Sequence, residues 1–374
     1  MTRQRAITTE EVASCRLCGS SGTLLYSQLS DRLFGAPGKW GHRECHCCGL
    51  VWLSPRPVPA AIAAVYRRYY THGRARRWAS LREKAKRALY GTVPGYESIA
   101  GTLIWKHLGI VLSWIPYWKE RAVLGAMCLN GTRKGKLLDV GCGDGGFLAL
   151  MRDAGWEVMG IEPDPRAASF AREKHGIPVI AGTLAEAALS DKSVDVVTLS
   201  HVIEHAYDPI LVLEGCRRIL KPKGKVIIVT PNLAGQGHQM FKSSWVHLDP
   251  PRHLYLFSPA TLRSSCERAG LKVEMLRTSV RGATWVWAAS TTIRRKGSFR
   301  REVDFTWRLG WEGLKLQRRE QASCSTPEGK DAGEEIVLIA SVGPEAVRKS
   351  IPSTGLEPSL AGVVETAKTA GTAE

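Results

Sequence analysis

Residues 137–147 read Leu-Leu-Asp-Val-Gly-Cys-Gly-Asp-Gly-Gly-Phe, and this stretch decides the fold. An apolar run (Leu137, Leu138, Val140) carries Asp139 and passes into glycines at alternate positions, Gly141, Gly143 and Gly145. Residues 147–154 then follow an amphipathic helical pattern. The expected structure is a buried strand, a tight turn and a helix whose N-terminus faces a ligand. Glycine is needed where the backbone takes unusual dihedrals or where a ligand lies against it. The helix N-terminus offers free N–H groups to an anionic or polar partner.

Such turns serve several nucleoside-containing ligands, so the next segment matters. Trp156-Glu-Val-Met-Gly-Ile161 reads as a second strand ending in Glu162, an acid placed to bind ribose hydroxyls. With Asp139 leading the glycines, the stretch resembles class I S-adenosylmethionine-dependent methyltransferases. The Gly-x-Gly-x-Gly spacing is read as distinct from the Gly-x-Gly-x-x-Gly of dinucleotide sites. Further matches follow in order. Val194-Asp-Val-Val-Thr-Leu199 is a fourth-strand pattern, and Ser200-His-Val-Ile-Glu-His205 resembles a segment of quinone- and sugar-type methyltransferases. Residues 219–225 read as a helix end and turn, and residues 226–229 as a fifth strand. The resemblance covers residues 136–280 plus a last strand at 336–341, and it implies an α/β fold with a doubly wound, seven-stranded Rossmann-like sheet.

The same resemblance implies a site for S-adenosyl-L-methionine. Asp139, Gly141, Cys142, Gly143 and Gly145 would form the cofactor turn, with Glu162 and Pro163 at the ribose. Gly182, Thr183 and Leu184 would lie by the adenine, and Ser200 and His201 by the methionine part. An oxygen or carbon acceptor also needs its proton removed, and histidine is the natural base. His201, His205, His247 and His253 are candidates. Residues 245–258, Trp-Val-His-Leu-Asp-Pro-Pro-Arg-His-Leu-Tyr-Leu-Phe-Ser, follow the fifth strand, where acceptors bind in such folds. They resemble the histidine-containing segment of zinc-containing deoxysugar C-methyltransferases, with His253 matching the histidine. Arg252 and Pro250 replace that family's Glu and Tyr, which argues against carbon as the target. The catalytic set read here is His253, Asp249 to orient it, and His205; the plainer role of His253 is to anchor its loop by hydrogen bonds, and that of His205 is to shape the cofactor loop at a helix start.

Five of the ten cysteines lie in the first 48 residues. Cys15-Arg-Leu-Cys18 and Cys45-His-Cys-Cys48, separated by 26 residues, have the spacing of two zinc knuckles. The expected ligands are Cys15, Cys18, Cys45 and Cys48, with Cys47 or His46 as substitutes in the second knuckle and redox pairing as the other reading. Four thiolates leave no open position, so the Zn2+ would be structural. A zinc ribbon before such a domain resembles bacterial enzymes that modify sugars or surface glycans. Cys128, Cys142, Cys216, Cys266 and Cys324 lack metal spacing and read as packing residues.

The domain reading is a disordered leader at 1–13, a zinc-ribbon-like module at 14–57 and a basic helical region at 58–133. The methyltransferase domain follows at 134–345, with an insertion at 280–334, and then a disordered tail at 346–374. The chain carries a net charge of +17, and residues 67–87 hold nine Lys or Arg against Glu83. A second basic run covers residues 294–319. A solvated face is the first reading of this charge, an anionic membrane surface the second and nucleic acid the third, disfavoured for want of a stacking pattern. Trp105, Trp114, Tyr117, Trp118, Trp285 and Trp287 beside these runs fit either an interfacial helix or aromatic packing. The polar start predicts no secretory signal and a cytoplasmic protein, with peripheral attachment to the inner membrane face as the variant. The function expected is O-methylation of a small-molecule or glycan acceptor. A prenylated quinone or lipid acceptor, sugar C-methylation, RNA and a zinc-scaffolded binding protein are the alternatives.

Overall fold

The structure is a computed structural model describing residues 6–66, 79–130, 133–304 and 331–343, with positions 310, 313–315, 317, 318 and 321 between. Residues 67–78 of the first basic run, residues 305–309, 311, 312, 316 and 319 of the second, Cys324 and the tail from 344 lie outside the described residues.

Seven strands form the central sheet: β1 (Lys136–Val140), β2 (Glu157–Glu162), β3 (Val179–Ala181), β4 (Val194–Ser200), β5 (Leu220–Pro231), β6 (Leu271–Ser279) and β7 (Glu335–Val342). Their order is β6-β7-β5-β4-β1-β2-β3, with β7 antiparallel to both neighbours and the other pairs parallel. Winding reverses between β1 and β4, so the carboxyl ends there open onto a crevice. Near-continuous apolar runs such as residues 226–229 are what a sheet buried on both faces requires. Alternation divides the core: Leu138, Val197 and Ile228 join one apolar cluster, while Leu137, Val196 and Ile227 join the other. Residues 220–225, expected as a turn, already belong to β5, which shifts register against β4 between Leu220 and Lys225.

The two faces are covered differently. Helices Ala79–Tyr90 and Pro116–Gly125 supply Tyr90, Ala122 and Leu124 to one face. The other face carries the cysteine-knuckle module, through Leu50, Val51, Trp52 and Leu53. That module is an antiparallel sheet of Gly22–Leu29, Trp40–Cys45 and Val51–Leu53, and its fourth strand is Tyr255–Leu256, from the loop beyond β5. Tyr255 pairs with Trp52 and Leu256 with Val51. Residues 9–12, read above as part of a loose leader, are tied down. Thr9–Glu10 pairs with Arg56–Pro57, Ser54 Oγ donates to Glu11, and Trp52 Nε1 donates to the Val12 carbonyl. Trp287 is buried against Phe241, so that tryptophan packs in the core rather than at an interface.

Candidate active site

The turn after β1 has the conformation its glycines permit. Gly141 and Gly143 have φ of 73° and 54°, and helix Gly146–Asp153 starts directly beyond. A Cβ on Gly141 would meet Val202 Cγ2 at 2.6 Å, whereas one on Gly143 would meet nothing within 4 Å. The turn is therefore closed on one side and open on the other, the cradle a nucleoside ligand requires. Glu162 spans it: Oε2 accepts from Gly143 N at 2.8 Å and Oε1 from Asp164 N at 2.9 Å. Asp139 lies below, where Thr198 Oγ1 donates to it at 2.6 Å. Burial, opposed by that hydroxyl and reinforced by Glu162, pushes the Asp139 carboxyl up to about 7.

The other expected cofactor residues fall around this cradle. Cys142 is buried beneath the turn, close enough to Gly160 that a Cβ there would meet its Sγ at 2.5 Å. Gly182 N donates to the Glu162 carbonyl, so the end of β3 is held against the end of β2. Thr183 points back to Glu186 through N and Oγ1, Leu184 is buried, and Pro163 is exposed beside Glu162. Ser200 ends β4, and His201 follows with a positive φ of 56°. His201 Nε2 lies 3.1 Å from Glu335 Oε1 and Nδ1 lies 3.4 Å from Glu204 Oε1. Burial opposes its charge, yet these two carboxylates push its pKa up to about 10. The two carboxylates favour the imidazolium form, which disfavours His201 as a base.

A second group of side chains gathers over the carboxyl edge. His205 Nδ1 lies 2.9 Å from the Arg252 carbonyl and 3.1 Å from Tyr66 Oη; His253 Nδ1 lies 2.7 Å from the His247 carbonyl. The His205 and His253 rings meet edge-on, with centroids 4.8 Å apart. Burial, then the repulsion that a protonated His253 would exert, brings His205 down to about 4. Burial brings His253 to about 4 as well, against the raising effect of Glu204. Asp249 does not orient His253 by a hydrogen bond: its Oδ2 is 3.9 Å from Nε2. The His247 carbonyl fixes that ring instead, and Asp249 pairs with Arg252.

Arg252 is wholly buried and grips Asp31 of the cysteine-knuckle module through two hydrogen bonds of 2.8 Å. Its guanidinium also lies over the Phe34 ring, 4.6 Å from the centroid. Asp31, Glu204 and Glu335 are thus parts of the site that the sequence reading left out. Glu204 lay inside the quoted Ser200–His205 motif and so was open to notice; Asp31 had no such signal. The four expected metal-ligand cysteines do converge. Cys15 and Cys48 sulfurs are 3.5 Å apart, Cys18 and Cys45 sulfurs 3.3 Å. Around a tetrahedral zinc with bonds of about 2.3 Å, sulfurs stand about 3.8 Å apart, so this set fits the ion.

A family model described as a methyltransferase domain matches residues 116–276. A ubiquinone biosynthesis O-methyltransferase of Cereibacter sphaeroides is 33% identical over 168 residues, 42% of this chain and 68% of that protein. The chain belongs to the S-adenosylmethionine-dependent methyltransferases. A probable S-adenosylmethionine-dependent methyltransferase of Mycolicibacterium smegmatis is 32% identical over 160 residues, 42% of this chain and 60% of that protein. Among solved structures, a SAM-dependent methyltransferase from Archaeoglobus fulgidus aligns with a TM-score of 0.39 at 18% identity, covering 61% and 93% of the two chains. What this methyltransferase must supply is a dry crevice that aligns two reactants. Both groups of side chains lie on turns and loops that follow the carboxyl ends of the strands.

Proposed function

We propose that this methyltransferase transfers a methyl group to a hydroxyl of a small-molecule or glycan acceptor, a sugar or cell-surface glycan precursor. S-adenosylmethionine, when bound, supplies the sulfonium methyl. Asp139, the 141–145 turn with Cys142, Glu162, Pro163, Gly182, Thr183, Leu184, Ser200 and His201 are the residues we assign to hold it. Glu162 would exchange part of its hold on the loop for ribose hydroxyls, and Asp139 would face the ammonium side. The cysteine set holds structural Zn2+.

One observation carries the acceptor assignment. His253 stands at the carboxyl edge with its Nδ1 fixed on a backbone carbonyl and its Nε2 lone pair left to serve the acceptor hydroxyl, by taking its proton or by holding an ion that ionises it. His253→Ala should lower turnover about 10²–10⁴-fold, the range for removing a general base, while leaving cofactor affinity in calorimetry unchanged. Unchanged turnover removes His253 from the chemistry. The acceptor class is read by incubating the enzyme with labelled cofactor and fractionated cell extract. Label in glycan or small sugar precursors supports the proposal, and label in RNA overturns it.

A second reading, a membrane-borne acceptor such as a prenylated quinone or lipid, is favoured by a different surface. On helix Leu103–Ser113 and just after it, Leu103, Ile104 and Trp114 are 69%, 80% and 78% exposed, and Ile110, Val111 and Ile115 are exposed with them. Lys84, Lys86, Lys106, Lys119 and Arg121 stand exposed on the same helices and their neighbours. Apolar projections among cations suit an anionic bilayer surface. Among the described residues no helix is long and apolar enough to cross a membrane. The chain should float with anionic liposomes, and Ile104→Ser with Trp114→Ser should weaken that; no flotation removes this reading.

A further inference from the structure

Glu204, His205 and His253 each offer one donor atom, and the three atoms lie within 4.8 Å of one another. The first two come from the turn after β4, the third from the loop after β5. Their supporting contacts are those of metal ligands. Each imidazole has Nδ1 on a backbone carbonyl, of Arg252 for His205 and of His247 for His253, which leaves the lone pair on Nε2. Thr230 Oγ1 donates to Glu204 Oε2 at 2.9 Å and fixes the carboxylate. The other oxygen, Oε1, is buried without a well-formed hydrogen bond, and His201 Nδ1 is 3.4 Å from it. Three electron-pair donors therefore converge, Glu204 and His253 buried and His205 half-buried, with His201 facing the Glu204 carboxylate from 3.4 Å, an arrangement to which a metal cation can be added.

We propose that Glu204, His205 and His253 bind a divalent transition-metal ion whose open position takes the hydroxyl oxygen of the acceptor. Two imidazoles and one carboxylate suit zinc, cobalt or manganese rather than calcium. Three protein ligands leave a position free, as in catalytic zinc sites. Nitrogen ligands at about 2.1 Å stand about 3.4 Å apart around a tetrahedral ion, so the donor atoms need draw together by at most about 1.4 Å. The ion would ionise the acceptor hydroxyl, with His253 holding it in place. On the ion the acceptor O–H ionises, its proton passes to water, and the oxygen keeps the electron pair. That oxygen then forms the new O–C bond to the methyl group as the C–S bond breaks, and its electron pair goes to sulfur. This role rests on the hydroxyl-acceptor reading, and within it His253 acts as a ligand rather than by taking the proton itself; the binding of the ion does not depend on that reading.

Dialysis of the full chain against Co2+, followed by metal analysis and absorbance, tests the site. Cobalt on the four cysteines gives intense thiolate charge-transfer bands. Cobalt on nitrogen and oxygen ligands gives only weak visible bands. We expect wild type to take an ion of each kind. His253→Ala should lose the second kind, or bind it about tenfold or more weakly, with the thiolate bands unchanged. Glu204→Gln, which keeps the shape of the side chain, should behave the same way and serves if His253→Ala does not fold. A wild-type chain with the thiolate-bound ion alone, or a folded variant that keeps the second ion at full affinity, overturns the proposal. Methyl transfer is scored separately: a bound second ion with no hydroxyl acceptor defeats only the functional reading, and hydroxyl methylation without the ion defeats only this site.

Discussion

Arg252→Ala should destabilise the folded chain by about 3–5 kcal/mol, the range for removing one partner of a buried ion pair, measured by urea unfolding. The guanidinium is fully buried and answers two carboxylates, Asp31 through two hydrogen bonds and Asp249 through two more. Alanine would leave both anions without a counter-charge, Asp31 fully buried and Asp249 nearly so. The pH dependence has a definite sign. Burial would raise the Asp31 carboxyl, but Arg252 holds it below the usual range, so its contribution to stability is present above that range and lost as pH falls through the depressed value. In the variant the sign reverses, because an unpaired buried carboxyl has a raised pKa and is relieved by protonation. The gap between variant and wild type should therefore narrow towards acid. A gap that widens, or a loss within about 0.5 kcal/mol as for an ordinary surface change, would show that the pair does not bear on stability.

Gly143→Arg should abolish S-adenosylmethionine binding with the fold retained. The backbone φ of 54° costs an L-residue on the order of 1–2 kcal/mol, which a domain of this size tolerates. The larger effect is on the ligand. A Cβ at this position meets open space, so the arginine side chain would occupy the cradle between the turn and Glu162 rather than collide with protein. Circular dichroism should show an intact fold and calorimetry no heat of cofactor binding. Normal affinity would sink the cofactor assignment at its centre.

The parts of this molecule that depend on neighbouring residues could be read from the chain alone. The strand, turn and helix at 136–153 are local, and each strand of the parallel sheet announces itself as an apolar run. The glycine spacing was a weaker guide than it looked. Gly146 stands three residues after Gly143, so Gly-x-Gly-x-x-Gly is satisfied as well. Glycine spacing therefore does not separate this turn from a dinucleotide turn; the ordered segments that follow it and the relatives do. What could not be read is what long chain separation creates. Asp31 meets Arg252 across 221 positions, and nothing near either residue marks the other. His253 could be picked out as a histidine after the fifth strand, but not its partner, because a backbone carbonyl carries no sequence signature. The interfacial reading of the tryptophans divides for the same reason: Trp114 projects outward and Trp287 packs inward, a matter of tertiary surroundings rather than composition.

The strand Tyr255–Leu256 has a consequence for the order of events during synthesis. The edge at Val51–Leu53 that it completes leaves the ribosome about two hundred residues earlier, which at 5–20 residues per second is on the order of 10–40 s. Through that interval the nascent module carries an open, apolar strand edge, the kind of surface that pairs with other chains. Its cysteine knuckles can close at once, because Cys48 precedes that edge in the chain. With the zinc proposed for these cysteines, capture would come first and would hold the early hairpin in shape until the later strand arrives to seal it.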